Sequence, residues 1–227
     1  MSIKTNSRLA RFIFLFYIAT GIAGMILFDQ ATGGQDANAR LASIAAHTGQ
    51  MRLSIVFVLI NIFNALILAV TLYALTREED RDLALLALAS RIAEGVINAI
   101  PAVALLLLLS LAMAASAANV SATNPVADCL FRVQNASITV DATLFAVGST
   151  LFPYLFLQAR TIPAWLARLG ILSSIWLIFV VPLEGIRLIQ GPFAGLIWLS
   201  MLVFEVTLGF WLLIKGVNAK ASSVAAV

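Results

Sequence analysis

Residues 53–75 read LSIVFVLINIFNALILAVTLYAL, 23 positions without a charge. A bilayer core about 30 Å thick is crossed by about 20 apolar residues in a helix that rises about 1.5 Å per residue, so this stretch predicts a transmembrane helix. Five more stretches meet the same demand: 11–28, 84–113, 137–158, 168–189 and 193–214. The 84–113 stretch is long enough to tilt or to project from the bilayer. After Phe28 the chain continues DQATGGQ, without a small-x-small cleavage pattern, so the first stretch is expected to stay as an anchor. The predicted fold is all-α: a polytopic membrane protein, a six-transmembrane-helix bundle forming one integral membrane domain over 1–227.

Composition carries the same message. Of 227 residues, 62% are hydrophobic and 11% charged, with a mean hydropathy of +1.02. Globular proteins average roughly 45–50% apolar and about 25% charged residues, so a water-facing surface cannot be assembled from these side chains. That excludes a solvated nucleic-acid binder, a disordered tail and a cytosolic enzyme. One histidine, His47, and one cysteine, Cys129, exclude a His/Cys zinc site, a paired-cysteine haem attachment and an intramolecular disulfide. No metal, cofactor or catalytic residue is expected. No phosphate loop, nucleotide fingerprint or nucleophile elbow appears, and the reading leans away from an enzyme.

Basic residues set the expected orientation. With both termini inside, the cytoplasmic segments hold Lys4, Arg8, Arg11, Arg77, Arg81, Arg160, Arg168, Lys215 and Lys220, against Arg40, Arg52, Arg132 and Arg187 outside. This excess predicts cytoplasmic N- and C-termini. The outer connection 29–52 opens on a Gly-Gly turn signal, and Leu41, Ile44 and Ala45 fall at helical spacing, predicting a short amphipathic helix on the membrane surface. The second outer connection, 119–136, contains Asn124-Pro125, read as a helix breaker. It also carries two glycosylation triplets, at Asn119 and Asn135, of a kind common by chance. Trp165 and Trp211 are placed as interfacial anchors.

Six charges fall inside apolar stretches: Arg91, Glu94, Asp141, Glu184, Arg187 and Glu205. Each costs about 2.5–3.5 kcal/mol at a helix centre on insertion scales, so such residues pair, face the protein interior or line a wet cavity. Arg91, Glu94 and Asn98 project within an arc of roughly 60° on one helix, and Pro101 follows on that side. Arg91 and Glu94 stand at i, i+3, close enough to pair. Counting about 1.5 Å per residue, Glu205 lies about 15 Å from Lys215 and Glu94 about 18 Å from Asp82. Asn64 reaches about 18 Å from Arg52, with Asn61 one turn away on the same face. These groups predict a midplane pocket. One guanidinium there meets two carboxyls, so one carboxyl is expected to carry a proton or to find a cation. A structural ion pair beside a neutral, hydrogen-bonded glutamate is the other reading.

Asp141, Glu184 and Arg187 are read as a second group, an outer mouth, with His47 and Asp29 available nearby. Snorkelling at the interface accounts for them equally well. Gly21, Gly24 and Gly148 suit close helix packing, and Pro153 and Pro182 are expected to kink their helices.

The element Arg91-Ile-Ala-Glu94, the segment PYLFLQARTIPAWLARLG at 153–170, Glu205 with WLLIKG at 211–216, and the opening LFYIATGIAGMI together resemble the bacterial multi-pass membrane proteins grouped as domain of unknown function 4386. Ala164 departs from the basic residue expected before Trp165. The resemblance covers nearly the whole chain and implies a bacterial plasma (inner) membrane location and this architecture. It implies no activity.

The leading expectation is a membrane protein that binds a small molecule or lipid through the midplane pocket, with proton-coupled transport as its sharper form. Arg91 would hold an anionic group, Glu94 or Glu205 the proton, and Asn61, Asn64 and Asn98 would line the pocket. Expected partners are membrane lipids and a small-molecule or lipid ligand, with no nucleic acid. The alternative is an accessory or scaffolding subunit, in which the same ion pairs fix packing within itself, with a partner subunit or in a homo-oligomer.

Overall fold

A computed structural model describes residues 3–115, 124–189 and 193–215. They form eight helices: α1 (Ile3–Ala31), α2 (Ala37–Ala46), α3 (Thr48–Thr76), α4 (Arg81–Ile97), α5 (Ala99–Ala115), α6 (Asn124–Ala159), α7 (Ala164–Gly185) and α8 (Phe193–Ile214). No strand occurs among the described residues. Six segments are long and apolar enough to cross a membrane: Phe12–Ala31, Thr48–Thr76, Arg81–Ala114, Pro125–Ala159, Ala164–Gly185 and Gly195–Ile214. Phe63, Trp176 and Phe179 are 66%, 61% and 62% exposed, a surface that suits hydrocarbon and not water. The protein is an all-α polytopic membrane protein with a short helix, α2, in its first connection.

Several boundaries differ from the sequence expectation. The third span consists of α4 and α5, interrupted at Asn98. Pro101 has no N–H to give the Ile97 carbonyl, which accounts for a break at this point. The expected loop 119–136 is helical from Asn124 onward; residues 119–123, with Asn119, lie outside the described set. Proline is pre-organised for the first turn of a helix, so Asn124-Pro125 starts α6 instead of breaking it. An Arg132–Asp128 ion pair at 2.8 Å, spaced i, i+4, supports this added stretch. The turn after α6 is confined to residues 160–163, and α7 ends at Gly185, short of the expected 189.

Helices α6 and α7 close alike. Thr161 N–H donates to the Phe156 carbonyl and Arg160 N–H to Leu157; Leu188 N–H donates to Leu183 and Arg187 N–H to Glu184. Both are Schellman caps, and each puts an arginine in the left-handed position, at φ 52° for Arg160 and 60° for Arg187.

The contacts divide the chain into two compact units. Among the described residues, unit 1 comprises those within 1–16, 64–94 and 142–227, and unit 2 those within 17–63 and 95–141. In unit 1, Pro153 inside α6 cannot donate to the Ser149 carbonyl. The Ser174 hydroxyl of α7 stands 2.8 Å from that carbonyl and 2.7 Å from its own Gly170 carbonyl. A serine from a neighbouring helix thus satisfies the group that proline freed. Packing of α7 on α8 is tight at Gly170, where a Cβ would lie 2.5 Å from the Phe204 ring.

In unit 2, Asp36 caps α2 by accepting from Ala39 N–H at 2.8 Å. Leu41 and Ile44 are buried in a cluster with Met51, Leu105, Leu108 and Phe131. The apolar face of α2 is therefore covered by protein, where the sequence had placed it on the membrane surface. Arg40 of the same helix stacks over the Phe131 ring, 3.5 Å from its centroid. Burial pushes its guanidinium down, and the Asp29 charge opposes that shift.

Two substitutions test the unit 1 contacts. Gly170→Ala is expected to lower unfolding stability by about 1–3 kcal/mol through overpacking. Ser174→Ala is expected to cost about 1–3 kcal/mol by orphaning a buried carbonyl. Thermal or denaturant unfolding in detergent reads both, and wild-type stability of either variant would contradict the packing described.

Candidate functional site

Helix α4 places Arg91 and Glu94 one turn apart on its buried side. The Arg91 Nη1 to Glu94 Oε2 distance is 2.8 Å, and the two side chains are 3% and 1% exposed. A glycine on α6 makes room for the arginine stem: a Cβ at Gly148 would lie 2.7 Å from Arg91 Cδ. The guanidinium carbon sits 4.8 Å from the Phe145 ring centroid, and that ring stacks on Trp198 of α8, centroids 6.1 Å apart. The cation is thus held by a carboxylate on its own helix and by an aromatic face from α6.

Arg91 and Glu205 line one small cavity together with Ser149, Phe152, Phe156 and Phe204. Its volume is about 20 Å³, room for about one water molecule, which needs roughly 10–15 Å³. Glu205 is half-buried on α8 and takes part in none of the ion pairs among the described residues. Arg91, ion-paired with Glu94, and Glu205 of α8 thus share one small cavity. Asn64 is buried in the same unit.

The other residues singled out in the sequence belong elsewhere. Asn61 lies in unit 2, where Thr20 Oγ1 donates to its Oδ1 at 2.7 Å, joining α3 to α1. Asn98, at the α4/α5 break, donates from Nδ2 to Asp141 Oδ1 at 2.7 Å, also in unit 2. Because α6 begins at Asn124, Asp141 sits about 25 Å along that helix and not at its start. Glu184 and Arg187 are exposed at the end of α7. What joins them is the backbone bond of the helix cap; no side-chain ion pair links them among the described residues. His47 caps α2, its Nδ1 2.9 Å from the Ser43 carbonyl.

Sequence reasoning missed Phe145, Ser149, Ser174 and Gly170. The small residues Gly170, Ser173 and Ser174, spaced by three and four, were a legible signal of close helix approach. Phe145 left no such mark, because one phenylalanine among many carries no address. Among the described residues, no group of His, Cys, Asp and Glu converges in a way that would hold a metal ion.

Residues 10–216 match the family model described as Domain of unknown function (DUF4386). No curated protein and no solved structure matches the chain.

Removing one partner of a buried ion pair strands the other charge. Glu94→Ala is therefore expected to destabilise the protein by about 3–5 kcal/mol, whereas Arg91→Met combined with Glu94→Leu restores most of that loss. Unfolding measurements on the single and double variants in detergent decide it. Equal destabilisation by both would mean that the pair is not the unit of stability.

Proposed function

The chain belongs to the DUF4386 family, and from that starting point we propose that it is a proton-coupled membrane carrier with Arg91, Glu94 and Glu205 as its proton-handling group. The observation that carries this reading is the unequal charge at one place: Arg91, already paired with Glu94, shares with a second carboxyl, Glu205, a cavity with room for about one water. Arg91 neutralises Glu94. Glu205, across the cavity on another helix, then holds the proton, because a second bare carboxylate in an apolar setting is costly. Arg91 and Glu205 each sit at least nine residues from the ends of their spans, which suits a step that must exchange protons between two sides.

The cavity has no space for a lipid or a metabolite in this conformation. A carried molecule enters by separation of α6 and α8, whose Ser149 and Glu205 face the same space. Placement in a bacterial plasma membrane with cytoplasmic termini rests on the basic residues of the inner segments and completes the proposal.

The pinning of Arg91 by Gly148 and Phe145 favours one rival, an accessory subunit in which the cluster only locks packing. The two readings separate on Glu205. In proteoliposomes holding a pH-sensitive dye, the wild type is expected to pass protons under an imposed potential and Glu205→Gln to lose that flux while keeping its thermal stability. A carboxylic-acid C=O infrared band at neutral pH should disappear in the same variant. Wild-type flux and an unchanged band in Glu205→Gln would refute the carrier reading. A silent wild type that co-purifies with a stable partner would favour the accessory one.

A further inference from the structure

Unit 2 contains a cavity of about 190 Å³ that the charge cluster does not use. It is bounded by α1, α3, α5 and α6, and its walls include Met25, Phe28, Val58, Leu105 and Ile138. An apolar cavity of about 150 Å³ accommodates benzene, so this one has room for a ring-sized group.

Gln134 of α6 lines the same space. It is 6% exposed, and its Oε1 is sealed from solvent without a hydrogen-bond partner. An unsatisfied amide in an apolar interior is costly, so it calls for a ligand group that hydrogen-bonds to it. The other polar groups on the wall are engaged. The Ser54 hydroxyl donates to the Gly24 carbonyl at 2.9 Å, and Asn98 Nδ2 donates to Asp141 at 2.7 Å. Among the described residues no charged side chain lines the cavity, which selects against an ionic ligand. Met25 and Ile138, at the rim, are 59% and 45% exposed, so a tail leaving the cavity passes between them to the apolar surface.

We propose that this cavity is a binding site for a neutral hydroxylated amphiphile, with its ring-sized head against Gln134 and its tail leaving between Met25 and Ile138. A hydroxyl both donates and accepts, so it satisfies the glutamine amide whichever of its ends faces the ligand. The site is independent of the proton-handling cluster, and Glu205→Gln leaves it intact.

The test uses the full-length protein in phosphatidylcholine nanodiscs and a diazirine-bearing benzyl alcohol as photoprobe, with crosslinks mapped by mass spectrometry. Crosslinks are expected at Met25, Phe28 and Ile138. Unlabelled benzyl alcohol should suppress them at about tenfold lower concentration than toluene, which has the ring without the hydroxyl. Gln134→Leu should abolish that difference while keeping the wild-type elution profile. Equal competition by toluene and benzyl alcohol, or crosslinks confined to other helices, would overturn the proposal. Should Gln134→Leu fail to fold, the competition pair on the wild type decides alone.

Discussion

A polar group inside hydrocarbon has no water to turn to, so each one in this chain has to find its partner within the protein. The Arg91–Glu94 pair is the clearest product of that constraint. The arginine stem occupies space that exists only because residue 148 is glycine, and the guanidinium faces the Phe145 ring, which in turn stacks on Trp198. One cation thereby ties α4, α6 and α8 into a common arrangement. The same rule operates on the backbone. Pro153 orphans the Ser149 carbonyl, and the Ser174 hydroxyl of α7 reaches across to it. Ser149 also lines the cavity that Arg91 and Glu205 share, so the repair of a proline defect and the charge cluster occupy one place.

Rigidity is distributed unevenly as a result. Arg91 and Glu94 are sealed, whereas Glu205 is half-buried and takes part in none of the ion pairs among the described residues. Unit 2 meets the constraint mostly through hydrogen bonds between helices. Thr20 with Asn61, Ser54 with Gly24 and Asn98 with Asp141 pair neutral groups or a single acid. Gln50 and Gln134 are exceptions there, each with a buried amide oxygen that has no hydrogen-bond partner among the described residues, and Gln134 lines a cavity.

Much of this is legible in the amino-acid sequence. Six apolar stretches announce six spans because hydrocarbon thickness sets their length, a requirement blind to tertiary detail. The i, i+3 spacing of Arg91 and Glu94 announces their pairing because both sit on one helix, where geometry is local. Asn98 shares that helical stripe by periodicity, yet it pairs with Asp141, 43 positions away. Helical phase specifies a face and not the neighbour that the face meets. Asn124-Pro125 misleads for a related reason, since the same dipeptide ends one helix or begins another depending on whether the next residues continue as helix.

The sequence by itself determined the solvent this protein lives in, the number of its spans and the residues that hydrocarbon would not tolerate alone, because each depends on composition and on distances along one helix. The tertiary structure decided which of those residues meet. It brought Glu205 to the cavity of Arg91, gave Asp141 to Asn98, turned α2 onto protein and set Gln134 in the wall of a cavity. The physical reason is that side chains from different helices meet by packing, and packing is settled by shapes that no single stretch of sequence contains.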